Sequence, residues 1–405
     1  MTRPVLLMLL SRHPYAENSG RASMLRQRIA QAKLVFDTRL VVLGAPTGAA
    51  HDQGMTFIPL AKPLSVALNV MRLGAAPMQT WLYHSTATRL AVAQLAQESG
   101  AAAVYIDMLR LAPLAADIAP SCARIIDYDD LLSTRYAQSA SGGYEVMGFL
   151  SRRVGPLAPL ARAFARPILS AEAHRCERYE RALRANADLV LFTSRVEAAA
   201  FGGGDPRVMG APPLVPAHAL PDQVGDKLIF LGNMRYGENI VMLRALIGAV
   251  KALEAAGEWP AGAVIDVVGD HAPELVLEAD PGAFRFLGRI DDLGALRGAG
   301  VFLAPVLGGS GVKLKVLDGM ALGCPVVATP KALEGLTARA NRDLLIAPDP
   351  LRVLRTALAL RARTGLKRML AERGHAYVSN AHAPAIGERV AEAMLGAVKR
   401  RQETL

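Results

Sequence analysis

From Gly308 to Asp318 the chain reads Gly-Gly-Ser-Gly-Val-Lys-Leu-Lys-Val-Leu-Asp, and this spacing can bind an anion. Three glycines let backbone approach a ligand closely. The pattern predicts a helix from about Val312, with Ser310 as its N-cap. The unpaired amides and positive dipole end of such a helix suit a diphosphate. Leu314, Leu317 and Ala321 fall at helical spacing toward a core. Lys315 and Asp318 share another face with Gly311, which puts a cation and a carboxylate on the ligand side. A carboxylate one turn into the helix can accept both ribose hydroxyls of a nucleotide. The same residues also suit an ordinary strand-turn-helix, but three glycines, two lysines and an inward Asp in one turn favour the ligand.

Two elements must position this turn. Gly300–Ala304 is an apolar run ended by Pro305, and Val326–Ala328 is another after Gly323-Cys324-Pro325. Both read as buried parallel strands. The pattern recurs along the chain. Strands are predicted at Val5–Leu10, Leu40–Leu43, Ala103–Ile106, Ala123–Ile126 and Leu189–Phe192, with helical stretches between them. After a Gly- and Pro-rich tract from Gly202 to Gly225, the pattern restarts at Lys227–Leu231 and continues at Val264–Val268 and Leu344–Ala347. Alternation of this kind predicts two doubly wound sheets. The expected domains are 1–220 and 225–380, with a terminal helix over 381–405.

Composition narrows the classes. The chain has 405 residues, 52% apolar and 20% charged, enough for two buried cores. Aromatic residues make up 5%, which disfavours stacking platforms for sugars or single-stranded nucleic acid. The net charge of +10 suggests an anionic partner. Cys122, Cys176 and Cys324 have neither metal spacing nor an even disulfide count, which suggests a reducing compartment. The first loop lacks G-x-G-x-x-G, so an NAD site gets no support. Met1–Leu10 reads as a first strand rather than a signal peptide, because Arg12 and His13 follow at once.

Polar groups just past strand ends are further candidates. Arg12, His13, Asn18, Ser19, Gly20 and Arg21 follow the first strand, Asp107 and Arg110 a later one, and Asp127-Tyr128-Asp129-Asp130 the next. Asp127-x-Asp129 could hold a divalent cation through hard oxygens. Asp129 and Asp130 could equally cap a helix from Leu131, and that reading is preferred. Met147–Leu169 carries four arginines and no acid, which suits an anionic bilayer or a packed helical excursion. Its prolines, Pro156, Pro159 and Pro167, argue against one continuous helix.

The segment Gly309-Ser-Gly-Val-Lys-Leu-Lys-Val-Leu-Asp-Gly-Met-Ala-Leu-Gly-Cys-Pro-Val-Val-Ala-Thr329 resembles the donor-site motif of retaining glycosyltransferases of family 4, which have the GT-B fold. It is similar to a bacterial subgroup associated with exopolysaccharide and surface-glycan synthesis. The resemblance implies two Rossmann-like domains facing a cleft. It implies transfer of a sugar from a UDP- or GDP-linked donor to a glycan or lipid-linked acceptor, without metal, cofactor or nucleic acid. It also implies a cytoplasmic protein, at the inner membrane face if Met147–Leu169 touches lipid. Asp318 matches the family's ribose-binding glutamate, and Ser310 stands where the family's first glutamate would be. Gly309, Gly311, Val312 and Lys313 would meet the diphosphate. In the loop after Leu231, Gly232 and Arg235 are donor candidates, and Asn233 and Asn239 replace the usual Arg and Lys. The backbone near Ile290 would read the base. Lys315 would stabilise the leaving diphosphate; His13, Asp107 and Asp127 would serve the acceptor side, although the Asp107 position often holds His in the family. A sugar-nucleotide epimerase on the same fold, and a binding subunit with a degenerate site, are the alternatives.

Overall fold

The computed structural model describes residues 3–16, 20–72, 75–141, 158–234, 236–270, 273–309 and 311–404. Asn18, Ser19, Arg235 and Ser310 lie outside the described residues, as does most of the first half of Met147–Leu169. The chain divides into two compact units, one formed by Met1–Pro213 with Ala385–Leu405, the other by Leu214–Pro384.

Among the described residues the first unit holds a parallel sheet of seven strands. These are β1 (Val5–Leu10), β2 (Asp37–Leu43), β3 (Met55–Ile58), β4 (Ala101–Asp107), β5 (Ala123–Asp129), β6 (Leu189–Phe192) and β7 (Val208–Gly210), in the order β3-β2-β1-β4-β5-β6-β7. Helix α1 (Gly20–Val35) follows β1; α2 (Pro63–Arg72), α3 (Met78–Tyr83) and α4 (Thr86–Glu98) lie between β3 and β4. Helices α5 (Leu132–Ala140) and α6 (Ala158–Asn186) precede β6, and α7 (Arg195–Gly202) follows it. The strands are apolar throughout because both faces are covered. Leu6, Met8 and Leu10 face one core layer, with Leu25 and Ile29 of α1; Leu7 and Leu9 face the other.

The second unit repeats the plan with β8 (Lys227–Leu231), α8 (Gly237–Ala255), β9 (Ile265–Val268), α9 (Pro273–Glu278), β10 (Phe284–Gly288), β11 (Gly300–Ala304), α10 (Leu314–Ala321), β12 (Val326–Ala328) and β13 (Leu345–Ile346). Helices α11 (Pro350–Arg361) and α12 (Thr364–Ala381) complete it. The sheet order is β10-β9-β8-β11-β12-β13. Helix α13 (Pro384–Glu403) sends Val390, Met394, Ala397 and Val398 into the first unit's core, beside Leu6 and Met8. Arg401 forks onto Asp188 at 2.8 and 3.1 Å there. No described helix is long and apolar enough to cross a membrane.

Four local expectations are corrected. The terminal helix starts at Pro384, not Ala381, because α12 runs on to Ala381 and a proline begins the next segment. Helix α6 continues through Pro167, despite the backbone hydrogen bond that proline removes. Helix α10 starts at Leu314, so Lys313 is its N-cap residue and the Gly309, Gly311 and Val312 amides belong to the loop. Neither Asp129 nor Asp130 caps α5: its N-cap residue, Leu131, has no side-chain cap. The first amides of α5 are met from other elements. Ser133 N donates to Glu180 of α6 at 3.1 Å, and the Leu131 amide bonds Glu197 of α7.

Candidate functional site

Strand order reverses between β8 and β11 in the second unit. Diverging loops at such a point leave room for a ligand past the strand ends. The Gly232–Tyr236 loop leaves β8, and the Pro305–Lys313 loop leaves β11. Lys315, one residue into α10, reaches across this opening. Its Nζ donates to Asn239 Oδ1 at 2.7 Å, lies 3.6 Å from Met242 Sδ and sits 5.0 Å from the centroid of the Phe230 ring. Asn239 is fixed in turn, its Nδ2 donating to Asn233 O at 2.7 Å. Burial pulls the Lys315 ammonium down to about 7, with nearby Lys313 adding to the shift and Glu238 opposing it. Burial also pushes Asp318, one turn on, up to about 7, against the pull of Lys315. Two ionisable groups near neutrality, three residues apart on one helix, are poised to change protonation when a charged ligand arrives.

The glycine turn presses against the first turn of α8. Gly309 and Gly311 have φ of 82° and 73°, a region side chains rarely enter. A Cβ on Gly309 would also lie 2.6 Å from Glu238 Oε1. Glu238, in the first turn of α8, is therefore part of the site although no sequence pattern singled it out. Val312 is partly buried against the core, and Lys313 is 9% exposed. Gly232 N donates to Val268 O at 2.9 Å, which ties the β8 loop to the end of β9. Ile290 is partly buried beyond β10. The structure thus gathers Lys315, Asn239, Asn233 and the Gly309–Lys313 loop, with Asp318 on the same helix.

The first unit has its own reversal, between β1 and β4, and there the expected residues form a buried charge cluster. Asp107 and Asp127 are each fully buried. Asp107 Oδ2 accepts from Ser11 N at 2.8 Å and Ser11 Oγ at 2.5 Å, while Oδ1 accepts from Arg21 Nε at 3.0 Å. Asp127 Oδ2 accepts from Arg28 Nε at 2.9 Å and the Tyr105 hydroxyl at 2.6 Å. Arg21 Nη1 also lies 3.1 Å from Asp129 Oδ1. Burial works against both carboxylates, yet Arg21 and Ser11 hold Asp107 below the usual range, and Arg21 and Arg28 hold Asp127 at about 2. Carboxylates so buried and paired are weak proton acceptors; in this structure they hold Arg21, Arg28 and the loop after β1. Asp129 differs, since burial and its acidic neighbours push it up.

His13 is 8% exposed and its ring is committed on both sides. Its Nδ1 accepts from Tyr15 N at 3.1 Å and Ala16 N at 3.0 Å, so the proton sits on Nε2, which donates to Asp52 Oδ1 at 2.9 Å. His13, His51 and Asp52 bring three ligand atoms within 4.8 Å. In this tautomer His13 ties Asp52 to the backbone of Tyr15 and Ala16, so the cluster orders the loop after β1. At Asp127-x-Asp129 the positive charge comes from Arg21, whose guanidinium is shared among Asp107, Asp127 and Asp129.

Comparison with known proteins bears on both units. Residues 225–361 match the family model for glycosyl transferases, group 1. No curated protein sequence matches the chain. Whole-chain structural likeness is broad. A glycosyltransferase from Rickettsia africae aligns with TM-score 0.60 at 12% identity, over 99% of each chain. The Anabaena protein HepE, bound to UDP and glucose, aligns with TM-score 0.61 at 13% identity, over 97% of this chain and all of the other. A sucrose-phosphate synthase from Thermosynechococcus elongatus aligns with TM-score 0.61 at 16% identity, over 99% of each. At these identities the likeness establishes the fold. The chain has the GT-B architecture of two parallel-sheet α/β domains.

Proposed function

We propose that the chain is a glycosyltransferase that moves a sugar from a UDP- or GDP-linked donor to an acceptor hydroxyl with retention, in the synthesis of a bacterial surface glycan or exopolysaccharide. The observation that carries this reading is the Lys315–Asn239 contact at 2.7 Å beside a glycine turn at a sheet's reversal point. The family match covers this region, and the similar Anabaena structure holds UDP and glucose. In this reading the diphosphate rests on the Gly309–Lys313 backbone and on Lys315. Asp318, as carboxylate, accepts the ribose hydroxyls, and the backbone near Ile290 meets the base. Charge develops on the diphosphate as the glycosidic bond breaks, and stabilising that charge is the largest catalytic contribution. The departing diphosphate takes the acceptor proton on the same face, so no buried carboxylate is needed as base. The reaction uses no metal. The acceptor is a glycan or lipid-linked hydroxyl at the first unit's loops, which Arg21 and His13 order.

The test is a donor screen with product analysis. Incubation with UDP- and GDP-sugars and a lipid-linked or oligosaccharide acceptor should yield an α-linked product from an α-linked donor, in EDTA as well as without it. Isomerised donor in the absence of acceptor would point to an epimerase. Loss of turnover in EDTA with rescue by Mn²⁺ would overturn the metal-free mechanism.

A further inference from the structure

The starting edge of the first sheet carries a cluster of arginines. The strands are all parallel, so β5, β6 and β7 start together at the edge opposite the loops that follow β1 and β4. Arg124 is the second residue of β5, Asp188 immediately precedes β6, and Arg207 immediately precedes β7. Arg184 lies in the last turn of α6, and Arg400 and Arg401 lie in the last turn of α13. Arg124, Arg207, Arg400 and Arg401 line a cleft of about 370 Å³ together with Asp188 and Thr404. All of these residues belong to the first unit.

The cleft holds more positive charge than its acids and helix ends neutralise. Asp188 Oδ2 accepts from Arg401 Nε and Nη2, at 3.1 and 2.8 Å, and from the Arg124 amide at 2.7 Å. Asp205 is shared, with Arg207 Nη2 at 3.0 Å and Arg184 Nη2 at 3.3 Å from its Oδ2. Among the described residues no other carboxylate lies within 4.0 Å of these five guanidinium groups. The Arg124 and Arg400 side chains bond carbonyls instead, those of Ile118 at 3.3 Å and Asp188 at 3.0 Å. Five cations against two carboxylates leave three unmatched. Helices α6 and α13 both end at the cleft, and each helix C-terminus carries about half a negative charge. That answers about one of the three, so compensation of the helix dipoles does not account for the arginines, and about two positive charges remain. Asp188 and Asp205 hold Arg401 and Arg207 in place before any ligand arrives. Guanidinium forks match phosphate oxygens in geometry as well as charge. A cleft of this volume suits a small molecule rather than an extended surface.

We infer that this cleft binds a phosphate dianion, as the free ion or as a compact monoester, and that the bound ion fastens the last turn of α13 to the starts of β5, β6 and β7. The inference rests on this cleft alone and stands apart from the transferase reading, since it needs neither donor nor turnover. The experiment is hydrogen exchange of the full chain at pH 8, where a phosphate monoester is a dianion. Inorganic phosphate is the probe for the free ion and glycerol 3-phosphate the probe for a monoester, each titrated at an ionic strength held constant with sodium chloride. At least one of them should slow exchange in residues 398–404 with a saturable midpoint. Arg124→Gln/Arg400→Gln should raise that midpoint at least about tenfold, because two charged donors are lost. Arg400→Gln alone, at an exposed helix position, should raise it about threefold and keeps the test open if the double variant does not fold. Lys315→Ala, in the other unit, should leave it unchanged. Absence of protection by both probes overturns the inference. So does protection that grows without a midpoint, which is the general effect of an excluded salt, or a midpoint shared by wild type and the arginine variants. Loss of the protection in Lys315→Ala overturns it as well, because the ion would then act from the glycine loop of the second unit.

Discussion

Lys315 Nζ and Asn239 Oδ1 meet at 2.7 Å, joining the first turns of two helices that follow the two strands at the second sheet's reversal point. Asn239 supplies a neutral acceptor rather than a carboxylate. The lysine is therefore aimed but not neutralised, and burial beside Phe230 and Met242 lowers its proton affinity until an anion arrives. Lys315, which reaches across this loop pair, thus comes from α10, with α8 supplying its acceptor.

The first prediction concerns Lys315 itself. Lys315→Ala should reduce turnover at saturating donor by about a hundredfold or more, on the order of 3 kcal/mol, with a smaller loss in ground-state donor binding. Lys313→Ala should do less, because Lys313 stands at the N-cap. Turnover of Lys315→Ala within a few-fold of wild type would place the compensating cation elsewhere.

The second concerns pH. An anionic diphosphate favours protonated Lys315, and ribose hydroxyls favour ionised Asp318. Both groups sit at about 7 in the free protein. Donor affinity should therefore peak near neutrality, falling above it as Lys315 loses its proton and below it as Asp318 gains one, with apparent values belonging to the pair. Calorimetry from pH 5 to pH 9 reads this directly. Asp318→Asn should weaken binding at the optimum and abolish the acidic limb alone. An unchanged acidic limb would remove Asp318 from the site.

The third tests the aiming contact. Asn239→Asp places a carboxylate against the ammonium, so the alkaline limb should move to higher pH while turnover falls, because the lysine is now neutralised by the protein. Asn239→Ala should lower turnover by about tenfold and leave the fold intact. A pH profile of Asn239→Asp that overlays wild type would show that the 2.7 Å contact does not govern the lysine.

The fourth is about stability. Arg28 is fully buried, with its guanidinium on Asp127 and on the Ala211 carbonyl. Arg28→Met leaves a buried carboxylate short of its partner and should cost about 3–5 kcal/mol. Adding Asp127→Asn should recover part of that loss, a coupling that denaturant titration of the four proteins will measure. Simple additivity would mean that the pair is not interacting in solution.

The fifth uses Glu197, which burial and the nearby Asp130 push up to about 7. Its folded value lies above the unfolded one of about 4.3, so it stabilises the fold at low pH and that contribution is lost as pH rises through 7. Glu197→Gln keeps an acceptor for the Leu131 amide and removes the charge. Its melting temperature should exceed that of wild type at pH 8 and converge with it toward pH 5.

Local patterning carried much of this molecule. The apolar runs at Val5–Leu10, Leu189–Phe192, Lys227–Leu231 and Gly300–Ala304 are strands because a parallel strand covered on both faces must be apolar along its whole length. The glycine turn and the Lys315–Asp318 spacing were legible for the same reason: they lie within one short stretch. Met55–Ile58 and Val208–Gly210 were missed, being short edge strands with little apolar run of their own. What tertiary structure decided is where charge is neutralised. Asp107 and Asp127 looked like reactive groups past strand ends, yet Arg21 and Arg28, 86 and 99 residues away in sequence, bury and saturate them. Likewise Glu238 reaches Gly309, and Asn239 reaches Lys315, only because β8 and β11 are neighbours. Hydrophobic periodicity is a property of adjacent residues and can be read along the chain. The state of a buried charge depends on whichever partner the fold brings within a few ångströms, and that distance exists only once the sheets have formed.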